Sequence, residues 1–210
     1  PIADGAGVSS LLTLDADGGG SLADCASGLH PEFETVARQA DDLAALLYSS
    51  GTTGRPKGIM LTHSNLLRNT EALVEAWGFT EADRLLHALP IFHVHGLFVA
   101  IGCALLSGCS MRWLPAFDAA QVIRYLPECT VLMGVPTYYT RLLADESFTK
   151  DIAANARLFI SGSAPLLEET FAEFETKTGH RILERYGMTE TNMNTSNPLD
   201  GERKPGTVGP

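Results

Sequence analysis

Five apolar runs of strand length alternate with segments of helical period, and that alternation restricts the possible folds more than any other feature of the chain. The runs are LAALLY (43–48), RLLHAL (84–89), MRWL (111–114), TVLMG (130–134) and RLFIS (157–161). The clearest helix follows the first of them. Leu66, Leu67, Thr70, Leu73, Val74 and Trp77 share one helical face, with Thr62 or Ser64 to cap the start and Gly78 to end it. Further helices are expected over 118–126, over 136–145 with Pro136 in the first turn, and over 166–178 closed by Gly179. GLFVAIGCALLSG (96–108) reads as a buried helix, too short and too glycine-rich to cross a bilayer. Strand and helix in alternation predict an α/β fold, a layered and mainly parallel sheet flanked by helices. Residues 1–40 lack the pattern: they are rich in Gly, Asp, Ser and Ala, with a flexible DADGGGSL turn and at most a short strand over 11–14. We expect them to be a loop-rich segment of the same domain, and residues 41–210 to be its core.

The stretch YSSGTTGRPKG (48–58) interrupts this order with hydroxyls, glycines and cations. Placed between a buried strand and a helix, it suits the capture of a phosphate chain by backbone N–H groups and a helix start. Gly51, Gly54 and Gly58 allow close approach of the backbone; Ser49, Ser50, Thr52 and Thr53 add hydroxyl donors; Lys57 supplies the cation. It is not a Walker P-loop, because Pro56 precedes the lysine and Gly58 follows it. Pro56 keeps Arg55 out of helical angles, which puts Lys57 in a turn ahead of the helix.

Composition narrows the partners. Fifteen basic against twenty-five acidic residues give a formal charge of −10, which disfavours nucleic acid and anionic membranes, so an anionic ligand needs a local positive site. Cys25, Cys103, Cys109 and Cys129 have no metal-type spacing and read as reduced, mostly buried thiols of a cytoplasmic protein. The chain starts at Pro1 without an initiator methionine and stops at Pro210 inside a turn, which we read as a piece of a longer protein.

The eleven-residue loop resembles the signature phosphate loop of the adenylate-forming superfamily, which includes acyl-CoA synthetases. Three later stretches fit that family in the same order: LPIFHVHG (89–96), SGSAPL (161–166) and ERYGMTET (184–191). The resemblance implies the large N-terminal domain of that fold, without its small C-terminal lid domain. It implies that His93 lies near the acyl site and that Ser161, Gly162, Ser163 and Ala164 border the adenine. In the last motif it implies that Tyr186 packs on adenine, Thr189 meets phosphate and Glu190, with Thr52, holds Mg2+; Glu184, Arg185, Gly187 and Met188 complete the nucleotide wall. Lys57, Thr52, His93 and Glu190 are then the catalytic candidates. The chemistry is consistent, since a hard cation takes oxygen ligands and an aromatic ring offers a purine a stacking face.

Together with VPTYYTRLL (135–143), these motifs are most similar to malonyl-CoA synthetases. That resemblance implies an AMP-forming acid:CoA ligase using ATP, Mg2+ and coenzyme A, with His93, Ser161 and Arg141 at the acid. An arginine fork suits a second carboxylate. Methylmalonate or another short or aromatic acid stays open as substrate, and so, for this piece alone, does a non-catalytic ATP-binding module.

Overall fold

The computed structural model describes residues 5, 7–49 and 56–209. Two compact units are present, one up to Arg38 and one from Gln39 onward. The first contains a seven-residue helix, α1 (Ser21–Ser27), with no buried residue. It is pinned by a reciprocal pair: Thr13 N–H donates to Ser21 Oγ at 2.9 Å, and Ser21 N–H to Thr13 Oγ1 at 3.1 Å. No strand forms over 11–14, contrary to expectation; Leu11, Leu12 and Leu14 are exposed and have no partner strand among the described residues.

In the second unit, β1 (Leu43–Ser49) and β2 (Lys57–Thr62) make a separate antiparallel hairpin. This corrects two expectations. LAALLY is not buried: Leu43, Leu46 and Tyr48 are exposed, while Leu47 alone packs on a core. The glycine-rich stretch also leads into a strand and not directly into a helix, with Lys57 as the first residue of β2. An unbroken apolar run signals burial on both faces only when layers cover both, and here β1 has one partner strand.

Helix α2 (His63–Ala76) follows at once. Thr62 Oγ1 accepts from Asn65 N–H at 3.1 Å and Asn65 Oδ1 from Thr62 N–H at 3.0 Å, a full capping box. Gly78, at φ 59°, ends the helix. The main sheet then runs β3 (Arg84–His87), β4 (Ser110–Trp113), β5 (Val131–Gly134), β6 (Leu158–Ser161), β7 (Leu183–Met188) and β8 (Asn192–Ser196). Its spatial order is β4-β3-β5-β6-β7-β8; all pairs are parallel except the antiparallel β7–β8 edge. The connections are a π-helical turn (His95–Ala100) continued by α3 (Ile101–Ser107), then α4 (Ala119–Tyr125), α5 (Pro136–Leu143), α6 (Lys150–Ala153) and α7 (Glu168–Thr178).

Side-chain alternation divides the core into two layers. Leu85, Val131, Met133, Leu158, Ile160 and Leu183 meet Leu73, Trp77 and Cys103 on one face. Leu86, Leu132 and Phe159 meet Val122, Tyr139 and Phe174 on the other. At the amino ends of the strands, Asp83 is buried in a clasp. Its carboxylate accepts from Arg157 Nε at 2.7 Å, Arg157 Nη2 at 2.8 Å and Thr130 Oγ1 at 2.7 Å. Arg157 also donates to the carbonyls of Trp77 (3.1 Å) and Gly78 (2.9 Å), meeting the open end of α2. Burial by itself raises the pKa of Asp83, but the Arg157 and Thr130 bonds outweigh it and bring the value down to about 2.

Candidate active site

The chain passes from β3 to β4 on one side and returns to β5 on the other, so β3 and β5 flank a topological switch point. Ligands of open α/β sheets sit beyond the carboxyl ends of the strands at such a point. A cavity of about 550 Å3 opens there. Leu89 and Pro90 follow β3, Val135 and Tyr138 follow β5, Ser163 follows β6, and Arg185, Gly187, Met188 and Thr189 come from β7 and its turn; His93 and His95 complete the wall.

Most of that wall is apolar, and one charge stands out against it. Arg185 is 2% exposed, and its Nε and Nη2 have no hydrogen-bond partner among the described residues. Burial draws its pKa down to about 10, so it still carries its charge at neutral pH. The guanidinium lies over Gly162, where any Cβ would overlap it. Beside it, Ser163 adopts φ 67°, rare for a residue with a Cβ, and its Oγ lies 3.3 Å from His95 Nδ1. His95 is buried; burial first, then Arg185 and His87, holds its pKa well below the usual His range. His87, buried against Trp113 with ring centroids 4.5 Å apart, is lowered by burial to about 4.

Of the residues expected at the site, His93, Ser163, Arg185, Gly187, Met188 and Thr189 line this cavity. Ser161 is buried below it with Oγ unpartnered among the described residues. Gly162 backs Arg185, and Ala164 is exposed in the same turn. Tyr186 is about half exposed, on the opposite face of β7 from Arg185. Glu184 is buried and accepts from Gly206 N–H at 3.3 Å; burial raises its pKa. Arg141 is exposed outside the lining residues. Its guanidinium lies 4.9 Å over Phe117, which stacks on Tyr138 at 3.9 Å. Glu190 lines a second groove of about 490 Å3 with Leu61 of β2 and Ser64, Asn65 and Arg68 of α2. Ser49 pairs with Lys57 across the mouth of the hairpin, and both ends of the phosphate-loop candidate therefore meet. Ser50, Gly51, Thr52, Thr53 and Gly54 lie outside the described residues.

Sequence reasoning passed over His95 and Tyr138. The histidine's neighbour His93 shares its motif and the cavity wall but is exposed, and only the π-helical turn that starts at His95 shows which of the two is buried. Among the described residues no three His, Cys, Asp or Glu side chains are grouped as a metal site.

The AMP-binding enzyme family matches residues 3–210. The chain belongs to that family. Members with known structures include ATP-bound MatB from Rhodopseudomonas palustris, to which the chain is 57% identical with a TM-score of 0.94, covering 100% of this chain and 42% of MatB. A malonyl-CoA ligase in a ternary product complex with methylmalonyl-CoA and AMP is 42% identical with a TM-score of 0.79, over 84% of this chain and 39% of that one. The malonate–CoA ligase of Arabidopsis thaliana is 42% identical over 197 residues, 84% of this chain and 32% of that protein. The chain thus spans about a third of the length of that curated relative. The α/β architecture with its mainly parallel sheet is that of the family's N-terminal domain.

Proposed function

We propose that the protein containing this chain is an AMP-forming acid:CoA ligase whose acid is malonate. One observation carries the choice of acid: among the described residues, a buried and unpaired arginine in a mostly apolar cavity that holds no other charged side chain of the Lys, Arg, Asp or Glu type. A guanidinium without counter-ion in such a place is costly, and a carboxylate at the far end of a small diacid offsets that cost. The kinship with malonate–CoA ligases supports the same reading.

In this reading the other carboxylate of the acid attacks the α-phosphorus of ATP, giving acyl-AMP and pyrophosphate; the CoA thiol then attacks the acyl carbon and expels AMP. The carboxylate is already ionised at neutral pH, so the first step needs anions brought together more than it needs acid or base. Lys57 and the hydroxyls of the 49–54 loop would offset the charge of the departing pyrophosphate, with Thr189 at the phosphate and Tyr186 against the adenine. Glu190 suits Mg2+: it is a single exposed carboxylate beside the hairpin, and Mg2+ binds through one or two carboxylates while keeping water and phosphate oxygens. Bound there with Thr52, Mg2+ would neutralise phosphate charge. Arg141, the cation first expected at the acid, stands outside the lining over Phe117, which stacks on the lining Tyr138.

Methylmalonate is the second reading, favoured by the product complex of the 42% identical ligase. The test is pyrophosphate release and acyl-CoA formation by the full-length protein with malonate, methylmalonate, butyrate and benzoate. Malonate should give the highest kcat/KM. A monoacid used as well as the diacids would sink the reading, and ATP binding without turnover of any acid would leave a binding module.

A further inference from the structure

We propose that His95 is a positioning residue for the diacid: its Nδ1–H donates to Ser163 Oγ and so turns the serine hydroxyl proton toward the substrate's distal carboxylate. The inference rests on the proposed malonate reading and assigns this pair a part in it.

Ser163 and His95 both line the cavity, with Oγ and Nδ1 3.3 Å apart. A hydroxyl has one proton to give. If it were spent on His95, Ser163 would offer only lone pairs to a carboxylate, and the two would repel. An anionic ligand therefore selects the arrangement in which the ring is the donor and the hydroxyl proton is left for the ligand. The ring must be neutral and single-protonated for this choice to matter. Its burial, with the Arg185 guanidinium and the His87 ring as the charged and titratable neighbours, keeps it so. Ser163 is also held at φ 67°, a backbone strain that persists only where the surroundings over-determine it. Arg185, over the adjacent Gly162, supplies the charge, and Ser163 supplies the direction.

Asparagine carries its amide nitrogen where histidine carries Nδ1, and glutamine carries its own where histidine has Nε2. Steady-state kinetics of the full-length protein with malonate and butyrate should therefore separate three variants. His95→Asn should keep the malonate KM within about threefold of the parent. His95→Leu and His95→Gln should raise it roughly tenfold, the cost of one hydrogen bond to a charged group, with kcat and butyrate kinetics little changed. In a Ser163→Ala background, His95→Leu should add nothing, since it acts through the missing hydroxyl. His95→Asn as damaged as His95→Gln, a full extra loss in the Ser163→Ala background, or equal losses for butyrate would each overturn the inference. A parent that does not prefer malonate to butyrate would sink the malonate reading and this one with it. A malonate-selective parent with an unchanged KM in His95→Gln sinks this one alone.

Discussion

Arg185 costs the empty protein stability. A charged group 2% exposed, with two of its nitrogens unpartnered among the described residues, has lost much of its hydration without full compensation. Replacing it with methionine, similar in length and apolar, should raise the stability of the ligand-free protein by about 1 to 3 kcal/mol. The same change should lower kcat/KM for malonate roughly a hundredfold and leave butyrate nearly untouched. Thermal melting and steady-state kinetics on one preparation would show whether the two effects move in opposite directions. Arg141→Met should shift both readouts less, because that side chain is exposed and stacked on Phe117. An Arg185→Met variant that is both less stable and equally poor with every acid would mean that Arg185 is only packing. The motif around Arg185 was legible in the sequence, but the acid-binding part proposed for it was not. Nothing in ERYGM says that residues 184 and 185 are both buried, on opposite faces of one strand, with the arginine facing the cavity and the glutamate tied to Gly206.

Among the secondary-structure elements, β3, β5 and β6 were legible because parallel strands covered on both faces read as near-continuous apolar runs, and the half-exposed edge strand β4 still showed as MRWL. Strands β7 and β8 were not: LERYGM and NMNTS are polar, and they pair at an edge where Gly187 lets the backbones approach more closely than any Cβ would allow. Strand β2 was lost in the approach to α2. The clasp at the other end of the sheet was equally invisible, since Asp83, Thr130 and Arg157 are far apart in sequence. It joins the starts of three strands to the end of α2, and its contribution should depend on pH. Asp83 has a folded pKa of about 2, below its ordinary 3.8, so between those values the unfolded chain binds more protons. The clasp's stabilisation is thus fully present above about pH 4 and is lost as pH falls toward 2. Its size is roughly 2 to 3 kcal/mol. Urea titrations at about pH 7, 4 and 2.5 should show Asp83→Asn much less stable than the parent at neutral pH, with the gap narrowing at the most acid point. A gap that does not change with pH would assign the loss to packing instead.

At the scale of the molecule, the proposed chemistry needs two distant stretches to face one nucleotide: the hairpin carrying Lys57 and the turn carrying Thr189 and Glu190. Helix α2 links them. It leaves β2 directly, and its Asn69 makes a two-way bond to β8, with Nδ2 donating to the Met193 carbonyl at 2.9 Å and Oδ1 accepting Met193 N–H at 3.2 Å. Trp77 Nε1 adds a second tie to Ser196 Oγ at 2.9 Å. Glu190 shares its groove with Leu61 and Ser64, so a shift of β8 along α2 would carry the carboxylate away from the hairpin. Asn69 lines that groove as well, with both ends of its amide taken up by the Met193 backbone. Asn69→Ala orphans two backbone groups and should cost about 2 to 3 kcal/mol of stability. It should also slow pyrophosphate release at saturating malonate roughly tenfold or more, since a misplacement of about 1 Å is enough for such a loss. Thioester formation from supplied malonyl-AMP should fall much less, because that step no longer needs the triphosphate gripped from both sides. Asn69→Asp, which keeps the acceptor and loses the donor, should lie between parent and Asn69→Ala in both assays. Equal slowing of the two half-reactions would mean that α2 supports the fold without setting the distance between the hairpin and the Glu190 turn.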